Sequence, residues 1–226
     1  MVYLHVSTNV GSLGRGDGEW DPNDVSEVRR AVYDLFSRIK QEHGKYPDSL
    51  GIQEAGNLEV ELGPQFEVPI ASDEHVVQVK NGVNIRRGVV TYAKDPETVV
   101  WAPVDTVTEM VTTVHRIRFS NGRGNKDHKV AILNIYRLNH KSAVGTSLGE
   151  LKRAIAKQVR TLELQGIHKV LIHGDFNNVN LSIPGFRELN HKGMYHRHKE
   201  GSAKRYIDKV FANFGGSGSA RSVPIM

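Results

Sequence analysis

Several polar residues of this chain stand where an apolar stretch gives way to a turn. Asn9 follows His5-Val6-Ser7-Thr8, and Glu54 follows Gly51-Ile52-Gln53. Tyr136 and Asn139 come at the end of Ile132-Leu133-Asn134-Ile135, and Asp175 and Asn177 close Val170-Leu171-Ile172-His173-Gly174. Ligands of layered sheets gather at such places, because the strand end fixes the backbone while the side chain still reaches solvent. Taken singly, Asn, Asp and Gly after a strand are ordinary turn formers, and Glu54 alone reads as a solvated loop carboxylate. Gly174-Asp175-Phe176-Asn177 says more. Two oxygen-bearing side chains two positions apart, set between apolar neighbours, can aim together at one cation or phosphate.

Such residues need strands to carry them, and the hydrophobic pattern supplies these. Val2 to Val10 reads as a strand, and Asn23-Asp24 as the cap of a helix from about Val25 to Glu42 with Val28, Val32, Leu35, Phe36 and Ile39 on one face. A second strand is expected over Ser49 to Ala55. Five more follow, at His75 to Lys80, Arg87 to Ala93, Val99 to Val104, Met110 to Phe119 and Lys129 to Tyr136. Ser147 caps a helix that runs to about Leu164 with Leu148, Leu151, Ile155, Val159 and Leu162 inward; strands at Lys169 to Phe176 and Tyr206 to Phe214 complete the set. The order predicts two sheets packed face to face with helices outside, of α/β or α+β class. One domain over residues 1–214 is expected, with a flexible Gly/Ser-rich tail over 215–226.

At 226 residues, 38% hydrophobic and 24% charged, the chain is long enough to bury a core without staples. It contains no Cys, which excludes a disulfide scaffold, a thiolate zinc site and a cysteine nucleophile. The apolar runs are too short to cross a bilayer, and the first residues lack the basic start and apolar stretch of a secretion signal, so an intracellular protein, with the nucleus as one possible compartment, is expected. The net charge of +5 mildly favours phosphate-bearing partners.

Taken together and in order, these segments resemble the endonuclease/exonuclease/phosphatase superfamily, which includes deoxyribonuclease I, the apurinic/apyrimidinic endonucleases and the nucleases of LINE-type retrotransposons. Leu4 to Leu13 is similar to that family's opening strand with its Asn, Ile52-Gln53-Glu54 to its metal-binding segment, and Arg87-Gly88-Val89-Val90 to its Gly-Gly-Val-Ala strand. Asn134 to Asn139, His173 to Asn177 and Arg205 to Phe211 resemble three further motifs; the Tyr136-Arg137 pair looks most like the retrotransposon branch. The resemblance implies a four-layer α/β sandwich of two packed mixed β-sheets flanked by helices, and phosphoester hydrolysis with Mg²⁺ or Mn²⁺. It implies Glu54 as metal ligand with Asn9 beside it, and Tyr136 on the phosphate. Asp175 would orient or deprotonate water, with Asn177 on the phosphate and Asp208 holding a His. Arg137 and Asn139 join the substrate side. The implied activity is nicking of nucleic acid, DNA first, with no membrane partner.

The family's closing Ser-Asp-His strand has no counterpart after Phe214. Three readings stay open: the chain is a piece of a longer polypeptide, it is a silent relative that binds nucleic acid or protein, or another His substitutes. Strand alternation turns His173 the way Asp175 turns, and His5 the way Asn9 turns, so both are candidates; the plainer reading is a partly buried His bonded to a neighbour. The cluster His191 to Lys199 reads as a basic solvated loop whose His196 and Arg197 would meet nucleic-acid backbone rather than a metal. The Gly-rich acidic stretch after Asn9 matches no ligand-binding loop and reads as a mobile loop.

Overall fold

The computed structural model describes residues 3–9, 22–53, 70–71, 75–80, 83–87, 89–94, 97–101, 109–121, 124–137, 146–178, 180–189 and 208–215. Within them the order is β1 (His5–Asn9), α1 (Pro22–His43), β2 (Ser49–Gln53), β3 (Ile70–Ala71), β4 (His75–Lys80), β5 (Val83–Arg87) and β6 (Val90–Ala93). Then come β7 (Thr98–Trp101), β8 (Glu109–Asn121), β9 (Gly124–Tyr136), α2 (Leu148–Leu164), β10 (Lys169–Asp175), β11 (Arg187–Glu188) and β12 (Asp208–Ala212).

The expected elements are present, with three corrections. α1 starts at Pro22, where a missing N–H costs nothing, so Asn23 and Asp24 lie inside its first turn instead of capping it. The strand expected from Arg87 to Ala93 is two: Val83–Arg87 forms a hairpin with β4, and Val90–Ala93 joins a larger sheet. The β8–β9 hairpin is longer than expected, because Ser120 and Asn121 continue β8 and Gly124 to His128 pair back onto Asn121 to Ile117, where the apolar alternation fades.

Among the described residues the strands form a first sheet in the order β1-β2-β6-β3 and a second in the order β11-β12-β10-β9-β8-β7, besides the β4–β5 hairpin. Both large sheets are mixed: β1 runs parallel to β2 and β9 parallel to β10, the other neighbours antiparallel. Period-two alternation gives each strand two jobs. In the second sheet Ala131, Leu133, Ile135, Val170, Ile172 and Phe211 face α2, whose Leu151, Ala154, Ile155 and Leu162 complete that apolar layer. α2 is started by a reciprocal cap, Glu150 N donating to Ser147 Oγ (3.2 Å) and Ser147 N to Glu150 Oε2 (2.7 Å). In the first sheet Leu50, Ile52, Val90 and Tyr92 are buried on the face away from the second sheet, and the stripe Val32, Leu35, Phe36 and Ile39 of α1 is buried too. The architecture is the expected α/β sandwich.

The layer between the sheets is polar. From the first sheet it takes His5, Ser7, Asn9, Ser49, Gln53 and Thr91; from the second, Thr113, His115, Asn134, His173 and Asp175. Asn134 is the main tie. Its Nδ2 lies within hydrogen-bond reach of Ile52 O (3.3 Å), Val90 O (3.0 Å) and Thr91 Oγ1 (3.1 Å), and its Oδ1 accepts from Gln53 Nε2 (2.6 Å). A buried amide with every group bonded sets the relative register of two sheets more sharply than apolar contact does.

Candidate active site

The register of the second sheet brings distant residues into one row. Asp208 on β12 pairs with Asp175 on β10, Asp175 pairs with Tyr136 on β9, and Tyr136 pairs with Glu109 on β8. β9 and β10 end there and β8 and β12 begin there, so the four positions span one end of the sheet. In the first sheet Asn9 pairs with Gln53 where β1 and β2 end, and the two ends meet: Asn9 Nδ2 donates to Asp175 Oδ2 at 2.7 Å across the sandwich. Those two residues are separated by 166 positions in sequence.

Asp175 is held from two directions. Besides the Asn9 amide, its Oδ1 accepts from the backbone N–H of Asn177 at 2.8 Å, closing an Asx-type turn. Asn177 sits at φ 47°, a left-handed conformation that Asn tolerates, and its Nδ2 donates to Arg137 O at 2.8 Å. The turn-former and site readings of Asp175 and Asn177 therefore describe one structure: the turn holds the carboxylate still. Gly174 makes the approach possible, since with φ +148° a Cβ there would lie 1.8 Å from Ile135 O.

Arg137 braces this turn. Its Nε donates to Thr146 O (2.9 Å) and its Nη1 to Phe176 O (3.1 Å) and Asn177 O (3.3 Å), and the residue is 2% exposed. Burial disfavours its charge while nearby Asp175 favours it. Tyr136 is buried beside Val89 and Val111 at the edge of the inter-sheet layer.

His173 lies one step further in. It is fully buried, its Nδ1 is hydrogen-bonded with Ser7 Oγ at 2.9 Å, and its ring meets that of His5 at 4.1 Å between centroids. Burial first, then the neighbouring His5, hold its pKa well below the ordinary imidazole value. His5, whose Nδ1 is 2.7 Å from Ser49 Oγ, is pushed down to about 3 by burial, with His115 adding. Both rings are neutral near pH 7, and the Nε2 of each finds no hydrogen-bond partner among the described residues.

The structure thus brings together Asn9, Tyr136, Arg137, Asp175, Asn177 and Asp208 at one rim, with His173 behind it. Glu54, Asn139, His196 and Arg197 lie outside the described residues, although Glu54 directly follows Gln53 in sequence. Sequence reasoning gave Gln53 and Asn134 no role of their own beyond the motifs that contain them, and gave Glu109 none. The signal for Asn134 was its polarity on a face that otherwise carries Val130 and Ile132; Gln53 shares its face with Ser49 and Gly51, and Glu109 precedes the apolar run, so neither stood out.

A carboxylate fixed by one amide and one backbone N–H, ringed by amide and phenol groups, can orient a water or hold a proton at Asp175. The donors are hard oxygens without thiolate, which suits Mg²⁺ or Mn²⁺. Among the described residues no group of three His, Asp or Glu is placed to hold a metal by itself.

No protein-family model matches the chain, and no curated protein matches it in sequence. Solved structures match its shape. A truncated TDP2 from Caenorhabditis elegans is 15% identical, with a TM-score of 0.54 over 92% of this chain and 82% of that one. The catalytic domain of APE2 from Xenopus laevis is 14% identical, with a TM-score of 0.54 over 92% and 82%. An endonuclease/exonuclease/phosphatase family protein from Bacteroides thetaiotaomicron is 13% identical, with a TM-score of 0.51 over 92% and 82%.

Proposed function

Because the chain has the fold of the endonuclease/exonuclease/phosphatase superfamily, we propose that it hydrolyses phosphodiesters of nucleic acid, nicking DNA with a divalent metal at the rim where the two sheets end. The observation that carries this is the 2.7 Å bond from Asn9 to Asp175, which joins the two sheet ends into one mouth lined with oxygen and nitrogen donors. In this reading Glu54 holds Mg²⁺ or Mn²⁺ with Asn9 beside it, and the ion when bound acts as a Lewis acid on a phosphoryl oxygen. Asp175 accepts a proton from the attacking water. Asn177 and Tyr136 steady the phosphate, and Arg137 keeps the Asp175-Asn177 turn in shape. Asn139, His196 and Arg197 face the nucleic acid, and the positive net charge assists its approach. No described helix is long and apolar enough to cross a membrane.

The test is conversion of supercoiled plasmid with Mg²⁺ or Mn²⁺ by wild type, Asp175→Ala and Glu54→Ala. Loss of the carboxylate base should slow nicking by about 10²- to 10⁴-fold. Equal conversion by all three proteins sinks the assigned site. Plasmid bound but left intact by wild type sinks hydrolysis and leaves a nucleic-acid-binding module.

A further inference from the structure

The second sheet carries a cleft at the end opposite the rim. β10 begins at Lys169, paired with Val130, whereas the β8–β9 hairpin runs on to Asn121 and Gly124, so the hairpin projects past its neighbour. Between that step and the end of β12 lies an open cleft of about 570 Å³, whose lining includes His128, Lys129, His168, Lys169 and Phe214. Asn213 fixes one wall, its Oδ1 accepting from Val170 N (2.8 Å) and its Nδ2 donating to His168 O (2.9 Å). The Lys169 ammonium stands over two rings, 5.4 Å from the centroid of Phe119 and 5.5 Å from that of Phe214. Those rings meet edge to face at 5.7 Å, and His128 meets Phe119 in the same manner at 5.4 Å. The carboxylates nearby are already engaged, Asp127 by Arg118 (2.8 Å) and Glu97 by Lys129 (3.1 Å) and Arg116 (2.9 Å). Among the described residues no carboxylate pairs with Lys169.

A lysine held by aromatic rings differs from one held by a carboxylate. The ring quadrupoles fix the ammonium in place and leave its charge intact, and their apolar bulk weakens the screening by water on that side. We propose that this cleft is a second nucleic-acid contact, taking a phosphate of an unpaired strand on the Lys169 ammonium and the attached sugar or base against Phe214. Cations beside aromatic rings in an open groove are the combination that retains single strands, because every base has a face to stack and every link a charge to hold. His168, exposed at the lip, adds a polar group on the same path. β10 runs from Lys169 at the cleft to Asp175 at the rim, rising about 3.3 Å per residue, so the two places stand about 20 Å apart. The cleft therefore holds a part of the strand other than the bond to be cut. The choice of nucleic acid among phosphate carriers rests on the hydrolytic reading above; the fixed, unneutralised cation does not.

The experiment uses the whole chain in EDTA, so that binding is read without cleavage. Fluorescence anisotropy of a labelled oligothymidine is followed across a salt series for wild type, Lys169→Gln, Lys169→Arg, His168→Glu and Lys40→Gln. Lys40 is the control, an exposed lysine 4.5 Å from the Tyr46 ring centroid on α1, away from the cleft. Lys169→Gln should bind about tenfold more weakly, and its salt slope should be shallower by about 0.7, the value of one single-strand phosphate contact. His168→Glu, a surface change that leaves the fold alone, should weaken binding as well, while Lys169→Arg and Lys40→Gln should match wild type. Equal affinity and slope in wild type, Lys169→Gln and His168→Glu, or no strand bound by wild type, overturns the inference even where plasmid is nicked. Displacement of the strand by micromolar inorganic phosphate or adenosine monophosphate overturns it too, by making the cleft a site for free phosphate. Binding that depends on Lys169 in a protein that does not nick keeps the cleft and discards the hydrolytic reading.

Discussion

Arg137, expected on the substrate side, is instead buried and turned to backbone carbonyls. Its guanidinium forks to the carbonyls of Thr146, Phe176 and Asn177, joining the end of β9, the start of α2 and the turn that carries Asp175. A lysine keeps the charge but not the fork, and leaves buried carbonyls unbonded. Arg137→Lys should therefore lower unfolding stability by about 2 kcal/mol, seen as an earlier urea midpoint. An unchanged midpoint would mean that those carbonyls are satisfied from elsewhere. The residue types at the rim were legible in sequence, since Asn9, Asp175 and Asn177 each close an apolar strand. The side-chain work of Arg137 was not, because its acceptors are backbone atoms up to 40 positions away.

At the scale of elements, β2 and β10 are packed closely enough that one needs a glycine. A Cβ on Gly51 would lie 2.2 Å from His173 Cε1 and 2.8 Å from its Nε2. Gly51→Ala should cost about 2 kcal/mol through that clash, whereas Gly51→Ala combined with His173→Ala should cost less than the sum of the single losses. A double-mutant cycle by urea unfolding gives the coupling; strictly additive losses would place the clash elsewhere. Alternation correctly turned His173 and Asp175 to one side and His5 and Asn9 to the matching side. It could not tell that the inner pair lies deep in the layer and the outer pair at its mouth. Depth depends on how far the opposing strand reaches, which belongs to the partner and not to the strand itself.

At the scale of the molecule, the polar layer makes the sandwich sensitive to acid. His5, His115 and His173 are all held below the ordinary imidazole value, chiefly by burial, His5 to about 3 and His115 to about 4. A histidine whose pKa is depressed on folding binds its proton more readily in the unfolded chain. The stability tied to its neutral form is thus whole above pH 6.5 and is lost as pH falls toward the folded value. Each such group contributes a slope of about 1.4 kcal/mol per pH unit in that window. The urea midpoint should hold steady from pH 8 to 7 and fall steeply from about 6 to 4; His5→Gln should flatten the decline. A flat wild-type profile over that range would mean that these rings ionise inside the fold without penalty. By itself the sequence determined the strand-and-helix order, the layered class and the residue types at the strand ends, because those follow from periodicity and turn chemistry along a local stretch of chain. Only the tertiary structure decided that Asn9 touches Asp175, that Glu109 stands next to Tyr136, and that a polar layer joins the sheets. Each of those facts depends on the registry of strands far apart in the chain, which packing and buried hydrogen bonds select together and no single segment encodes.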